Sequence, residues 1–165
     1  MIQTLSRRTL FLTAGAVALT GCAPETADAS TRHYANSPFR RVTDAQWRQR
    51  LPRAAYDVLR HEATERPGSS PLNNESRRGT FVCRGCDLPL FRSQWKYDSR
   101  TGWPSFYDVI AANIGTKTDY AIGIPRVEYH CARCLGHQGH VFDDGPRPTG
   151  KRYCNNGVAL KFVPA

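Results

Sequence analysis

The sequence predicts a mainly β domain: two antiparallel sheets, short helices at the N-terminal end, and a site for one metal ion held by four cysteines. Three observations predict it. Beyond Arg66, short β-type runs are broken about every ten residues by Gly, Pro and Asp, with no long helical period. Before Arg66, apolar residues recur at helical spacing. Two Cys-x-x-Cys pairs, Cys83/Cys86 and Cys131/Cys134, each open a turn at the end of a β-type run.

Taken in order, the chain begins with residues 1–21, which read as an export leader. Arg7 and Arg8 precede an apolar run ending near Leu19, the twin-arginine pattern, and the run is shorter than the about 20 residues a bilayer span needs. Leu19-Thr20-Gly21-Cys22 has the form of a lipoprotein cleavage box, with Cys22 as the lipidated residue; Ala27-Asp28-Ala29 is the rival cleavage signal. Residues 22–40 are expected to be a flexible tether and 41–165 the folded domain. Thr43 offers an N-cap to a helix carrying Trp47 and Leu51 on one face, and a second helix is expected near Pro52 with Tyr56, Val58 and Leu59 buried. Strands are expected at Thr80–Cys83, Tyr120–Ile124, Arg126–His130, His140–Phe142 and Gly157–Phe162.

At 165 residues the chain has room for one domain with a real core. Its formal net charge is +9, and loss of the leader removes Arg7 and Arg8. The remaining basic residues are scattered from Arg32 to Lys161 and form no block, which argues for a solvated surface and against nucleic-acid binding.

Cysteine supplies the chemistry. Two residues between thiolates let one turn present both sulfurs to one cation, and two such turns complete a tetrahedral four-sulfur shell, the closed geometry of structural Zn²⁺. Two structural disulfides or a redox pair are the alternatives for an exported protein. Cys154 stands apart in Lys151-Arg152-Tyr153-Cys154-Asn155-Asn156-Gly157, where the preceding cations would favour a thiolate; a buried small hydrophobe is the plainer reading. His137 and His140, three apart in a glycine-rich stretch, can reach one pocket as acid and base if the chain there is irregular or extended. Gly102-Trp103-Pro104-Ser105-Phe106-Tyr107 sets aromatic groups on a Pro-fixed loop, as core or as an apolar recess.

Trp103-Pro104-Ser105-Phe106-Tyr107, His137-x-x-His140-Val141-Phe142, Arg152-Tyr153-Cys154-x-Asn156 and the two cysteine pairs, in this order, resemble the B-type methionine sulfoxide reductases over about residues 40–163. The resemblance implies antiparallel sheets, a structural zinc on Cys83, Cys86, Cys131 and Cys134, and reduction of the R epimer of methionine sulfoxide in oxidised proteins. It further implies that Cys154 attacks sulfur and becomes a sulfenic acid. His137 and His140 would protonate the departing oxygen, Trp103 and Phe142 would hold the methyl group, and Arg152 and Asn156 would tune or position the thiolate.

One departure bears on the cycle. Many members carry a recycling cysteine just before Gly-Trp-Pro, where this chain has Thr101, so an external thiol, a thioredoxin-like protein or a small molecule, is expected to restore Cys154. The expected whole is a monomer at the periplasm or outer face of a bacterial membrane, anchored by lipid at Cys22. A non-catalytic zinc-binding module of the same fold and a thiol peroxidase or disulfide enzyme are the rival functions.

Overall fold

A computed structural model describes residues 29–165. The leader, Cys22 and all but the last residue of the rival cleavage signal lie outside the described residues. Helix α1 (Ala29–His33) leads into a 3₁₀ turn at Pro38–Arg41, then α2 (Asp44–Arg50) and α3 (Arg53–His61). Thr43 and Gln46 form a reciprocal capping box on α2, so two otherwise orphan amides at this helix start have partners. Residues 29–41 are not a free tether: Thr31 is buried, the Tyr34 hydroxyl donates to Asn113, and Arg40 donates to the carbonyl of Ala132. No helix among the described residues is long and apolar enough to cross a membrane.

Nine strands follow: β1 (Gly79–Cys83), β2 (Pro89–Arg92), β3 (Lys96–Tyr97), β4 (Ser105–Phe106), β5 (Ile114–Asp119), β6 (Arg126–Cys131), β7 (His137–Phe142), β8 (Arg152–Asn155) and β9 (Leu160–Pro164). They form two antiparallel sheets, a small one ordered β2-β1-β9 and a large one ordered β3-β4-β8-β7-β6-β5. The expected strand at Tyr120–Ile124 is instead the β5–β6 turn, with Tyr120, Ile122 and Ile124 exposed. Its partner β5, Ile-Gly-Thr-Lys-Thr-Asp, lacks apolar alternation and escapes a pattern reading.

The core lies between the sheets and under α2 and α3. Phe91 stacks on Phe106 with ring centres 4.0 Å apart, Phe81 meets Phe106 edge-on at 4.9 Å, and Tyr129 closes on Phe91. Trp47, Tyr56 and Leu59 cover them from the helices. Each such burial contributes about 1.5–3 kcal/mol, so this cluster fixes how the sheets face one another.

Candidate active site and metal centre

Pairing across the large sheet aligns one residue from each strand. Tyr97 lies opposite Ser105, Ser105 opposite Cys154, Cys154 opposite His140, His140 opposite Glu128, and Glu128 opposite Lys117. Directly opposed residues in antiparallel strands project to the same face, so this row gathers a thiol, an imidazole and a carboxylate by register alone. On the other face, Tyr153, Phe106 and Tyr129 turn into the core. Gly139 permits the close approach of β7 and β8 beside the thiol, since a Cβ there would lie 1.9 Å from the carbonyl of Cys154.

His137 and His140, an odd number of residues apart, would face opposite sides of a regular strand. The β6–β7 pairing slips between Tyr129 and His130, leaving Gln138 as an extra residue, a bulge that returns both rings to one side. Their centres lie 5.5 Å apart. His137 Nδ1 sits 2.7 Å from Glu128 Oε1, and Glu128 Oε2 lies 3.0 Å from His130 Nδ1. His140 Nε2 is 2.7 Å from Asp119 Oδ2, which also accepts from Arg126 at 2.5 Å. Ionised carboxylates only accept, which places the protons on Nδ1 of His137 and Nε2 of His140.

Electrostatics supports those assignments. Burial opposes the charge on Glu128, but hydrogen bonds from His130 and His137 prevail and hold its carboxyl down at about 2. Asp119 is lowered by the backbone amide of Ala121, His140 and Arg126. Burial also lowers His140 against its bond to Asp119, which favours a neutral ring at neutral pH.

Cys154 forms part of an open recess of about 130 Å³ with Trp103, His140, Phe142, Asn156, Arg126 and Thr64. The recess therefore unites five of the seven residues expected from the sequence. Of the remaining two, His137 is buried and Arg152 stands two residues from Cys154 on β8, the spacing of one strand face. The charge on Arg152 is largely committed elsewhere: its Nε and Nη2 each donate to Asp144 at 2.7 Å, and its guanidinium lies 4.2 Å over the Phe142 ring. Lys151 pairs with Asp143. Arg152 favours the Cys154 thiolate through its charge, but burial is the larger influence and pushes the thiol up.

Asn156 bonds to backbone through both ends of its amide. Its Oδ1 accepts from the amide of Glu65 at 3.0 Å and its Nδ2 donates to the carbonyl of Gln138 at 3.1 Å, so it ties backbone segments together beneath the recess. Glu65, which sequence reasoning missed, completes this frame. Its carbonyl accepts from Trp103 Nε1 at 3.0 Å, and its carboxylate accepts from the amides of Gly157 and Val158. Glu128, Asp119 and Arg126 were also missed. The alternation Arg126, Glu128, His130 along β6 is the signal that could have revealed a polar face.

The four other cysteines among the described residues form a separate buried cluster, with all sulfurs within 4.8 Å of one another. Both turns share one hydrogen-bond plan. The amide of Cys83 donates to Leu88 and that of Asp87 to the carbonyl of Cys83; the amide of Cys131 donates to Gly136 and that of Leu135 to the carbonyl of Cys131. Asp87 and Leu135 both adopt left-handed backbone, φ 59°. Cys83 Sγ lies 3.6 Å from Cys134 and Cys86 Sγ 3.4 Å from Cys131. A disulfide needs about 2.05 Å, and these thiols are free, so the disulfide alternative fails. Tetrahedral Zn–S bonds of about 2.3 Å would separate sulfurs by about 3.8 Å, so the donor set fits such an ion with a small expansion. Because β1 belongs to the small sheet and β6–β7 to the large one, the cluster joins the sheets at their ends.

Comparison with known proteins gives concordant matches. The SelR domain family matches residues 51–164. The rice protein named peptide methionine sulfoxide reductase B1, chloroplastic, is 50% identical over 122 residues, 73% of this chain and 57% of its own length. Proteins named peptide methionine sulfoxide reductase MsrB match across most of their lengths. That of Bradyrhizobium diazoefficiens is 48% identical over 74% of this chain and 88% of its own. That of Pseudomonas putida is 51% identical over 72% and 90%.

Proposed function

Since the chain belongs to the SelR-domain family, that of the B-type peptide methionine sulfoxide reductases, we propose that it reduces the R epimer of methionine sulfoxide in oxidised proteins, using Cys154 as nucleophile. The observation that carries this reading is the row of opposed residues that sets Cys154 beside His140 at a recess walled by Trp103 and Phe142.

The two aromatic rings accept the methyl group and orient the sulfoxide sulfur toward Sγ, since aromatic faces and edges suit sulfur-bearing methyls. A sulfur–sulfur bond begins to form as the S–O bond lengthens, and the oxygen gains basicity as it leaves. The thiol proton of Cys154 and one from solvent reach it through the imidazole side of the recess, and it departs as water. His140, whose Nε2–H is committed to Asp119, takes and passes on a proton at Nδ1, with His137 behind it held in one tautomer by Glu128. A water molecule then adds to Cys154 Sγ as the sulfur–sulfur bond breaks: the substrate sulfur keeps that bond's electron pair and leaves as the thioether, a proton returns to solvent, and Cys154 is left as a sulfenic acid. One external thiol then displaces water from the sulfenic acid to give a mixed disulfide. A second thiol releases Cys154 and departs as part of the oxidised reductant.

The four-cysteine cluster holds one zinc ion, whose contribution when bound is to tie the sheets together. We place the mature protein, as a monomer, outside the cytoplasm with lipid at Cys22; the Leu19-Thr20-Gly21-Cys22 box behind the apolar run supports this. An assay resolving the R and S sulfoxides of a dabsylated methionine tests the activity. Wild type should consume R alone, and Cys154→Ser should consume neither. Turnover of S, or turnover that survives in Cys154→Ser, sinks the proposal and leaves the rival functions.

A further inference from the structure

Gln138 has its main chain beside the recess and its side chain in the cysteine cluster. On the recess side it is the extra residue of the β6–β7 bulge, which returns His137 and His140 to one side. Its carbonyl accepts from the amide of Asn156 at 2.8 Å and from Asn156 Nδ2 at 3.1 Å, which pins the bulge to the segment following Cys154. On the cluster side, Gln138 Nε2 lies 3.5 Å from Cys83 Sγ and 3.4 Å from the carbonyl of Gly136. The side chain is fully buried, and its Oε1 has no hydrogen-bond partner.

Those contacts fix which way the amide points. The Gly136 carbonyl only accepts, so the group facing it is the NH₂, and the second N–H is free to serve sulfur. The arrangement leaves a buried amide oxygen unpaired, a loss that an apolar side chain of similar length would avoid. A hydrogen bond to a charged acceptor is about twice as strong as a neutral one, so the amide is best offset when Cys83 is an ionised ligand. Four thiolates around a divalent ion carry net negative charge, and a buried charge needs donors aimed at it. Gln138 supplies one.

We infer that Gln138 is a positioning residue that couples the cysteine cluster to the two imidazoles. Cys83 ends β1 in the small sheet, and the Gly136 carbonyl closes the turn of Cys131 and Cys134, so one amide spans both cysteine turns. With its side chain held there and its carbonyl held by Asn156, the bulge cannot slide along β7. Without the bulge, His137 and His140 would face opposite sides of the strand, and His137 would leave Glu128. Loss of the sulfur contact therefore loosens the frame that aims the histidines. This inference rests on the proposed roles of those histidines, but metal release and ring signals are read without any sulfoxide.

The test uses the full chain loaded with zinc. Gln138→Met keeps the length of the side chain and removes the donor, and its metal should pass to a chromogenic chelator about tenfold faster than that of wild type. In the same variant, kept fully loaded, the ring-nitrogen NMR signals of His137 and His140 should move, while those of His61, exposed on α3, stay. Turnover of R-sulfoxide should show kcat lowered about tenfold and KM changed by less than about twofold, since Trp103 and Phe142 are untouched. A wild-type release rate overturns the sulfur contact; unmoved His137 and His140 signals, or a wild-type kcat, overturn the coupling. Absence of turnover in wild type sinks the reductase reading and leaves the release rates and ring signals to decide this one. Should Gln138→Met fail to fold, the wild type decides: with zinc replaced by an NMR-active cadmium isotope, the Gln138 side-chain amide signal should shift and couple to the metal. An identical signal with either metal overturns the proposal.

Discussion

The metal cluster takes its sulfurs from two copies of one turn, whereas the candidate catalytic thiol takes its surroundings from six strands. In the first region each Cys-x-x-Cys segment makes the same local hydrogen bonds and ends on the same left-handed residue, so the local sequence determines the geometry. In the second, Tyr97, Ser105, Cys154, His140, Glu128 and Lys117 meet only because of strand register. Identical thiols thus acquire different roles through how their neighbours are assembled. Four are buried together as a closed donor set, and one is left half-buried at a recess.

The contrast is sharpest in paired substitutions. Cys131→Ser should lose the metal and unfold the junction between the sheets, since structural zinc in small domains is worth about 10–16 kcal/mol of folding free energy. Thermal denaturation with metal analysis reads this. Cys154→Ser should keep the metal and a near-wild-type melting temperature while losing all turnover. Retained metal in the first variant, or metal loss in the second, would erase the distinction between the regions.

A smaller effect is expected where charge holds the imidazoles. Glu128→Gln should lower kcat/KM by about 10–100-fold, as is usual when the partner that orients a working histidine is lost. It also carries a pH signature. The folded state holds Glu128 at about 2 against an ordinary 4.5, so its contribution to stability is full above pH 4.5 and is lost as pH falls toward 2. The stability gap between wild type and Glu128→Gln, followed by denaturant titration at several pH values, should close over that window. A gap independent of pH would mean that the ionised carboxylate is not what organises His130 and His137.

Much of the first region was legible in the chain and much of the second was not. Both cysteine turns, the Thr43 cap, the buried faces of Trp47 and Tyr56, and strands β1, β6 and the second half of β7 follow from spacing and local pattern. The recess was legible through the motif around Trp103, His140, Phe142 and Cys154. Its supports were not: Glu65 and Asp119 act on residues far along the chain, and the alternation Arg126, Glu128, His130 marks a polar face without naming His137 as a partner. The bulge at Gln138 was hidden for the same reason: it is visible only against β6. The β5–β6 turn misled for a physical reason, since Tyr120, Ile122 and Ile124 read as a strand yet stand exposed in the turn.

The smallest expected effect concerns the counter-charge. Asp144 engages Arg152 and itself raises Cys154, so Asp144→Asn should shift alkylation of Cys154 to lower pH, by less than about half a unit at ordinary salt. An upward shift would show that the ion pair positions Arg152 more than it neutralises it.

The division between the two regions is tested most directly by mass spectrometry after one equivalent of methionine R-sulfoxide, with no reductant, alongside metal analysis of the same sample. One oxygen added to Cys154, with the metal retained in full, is the predicted result. A disulfide linking Cys154 to any of Cys83, Cys86, Cys131 or Cys134, with metal released, would contradict it.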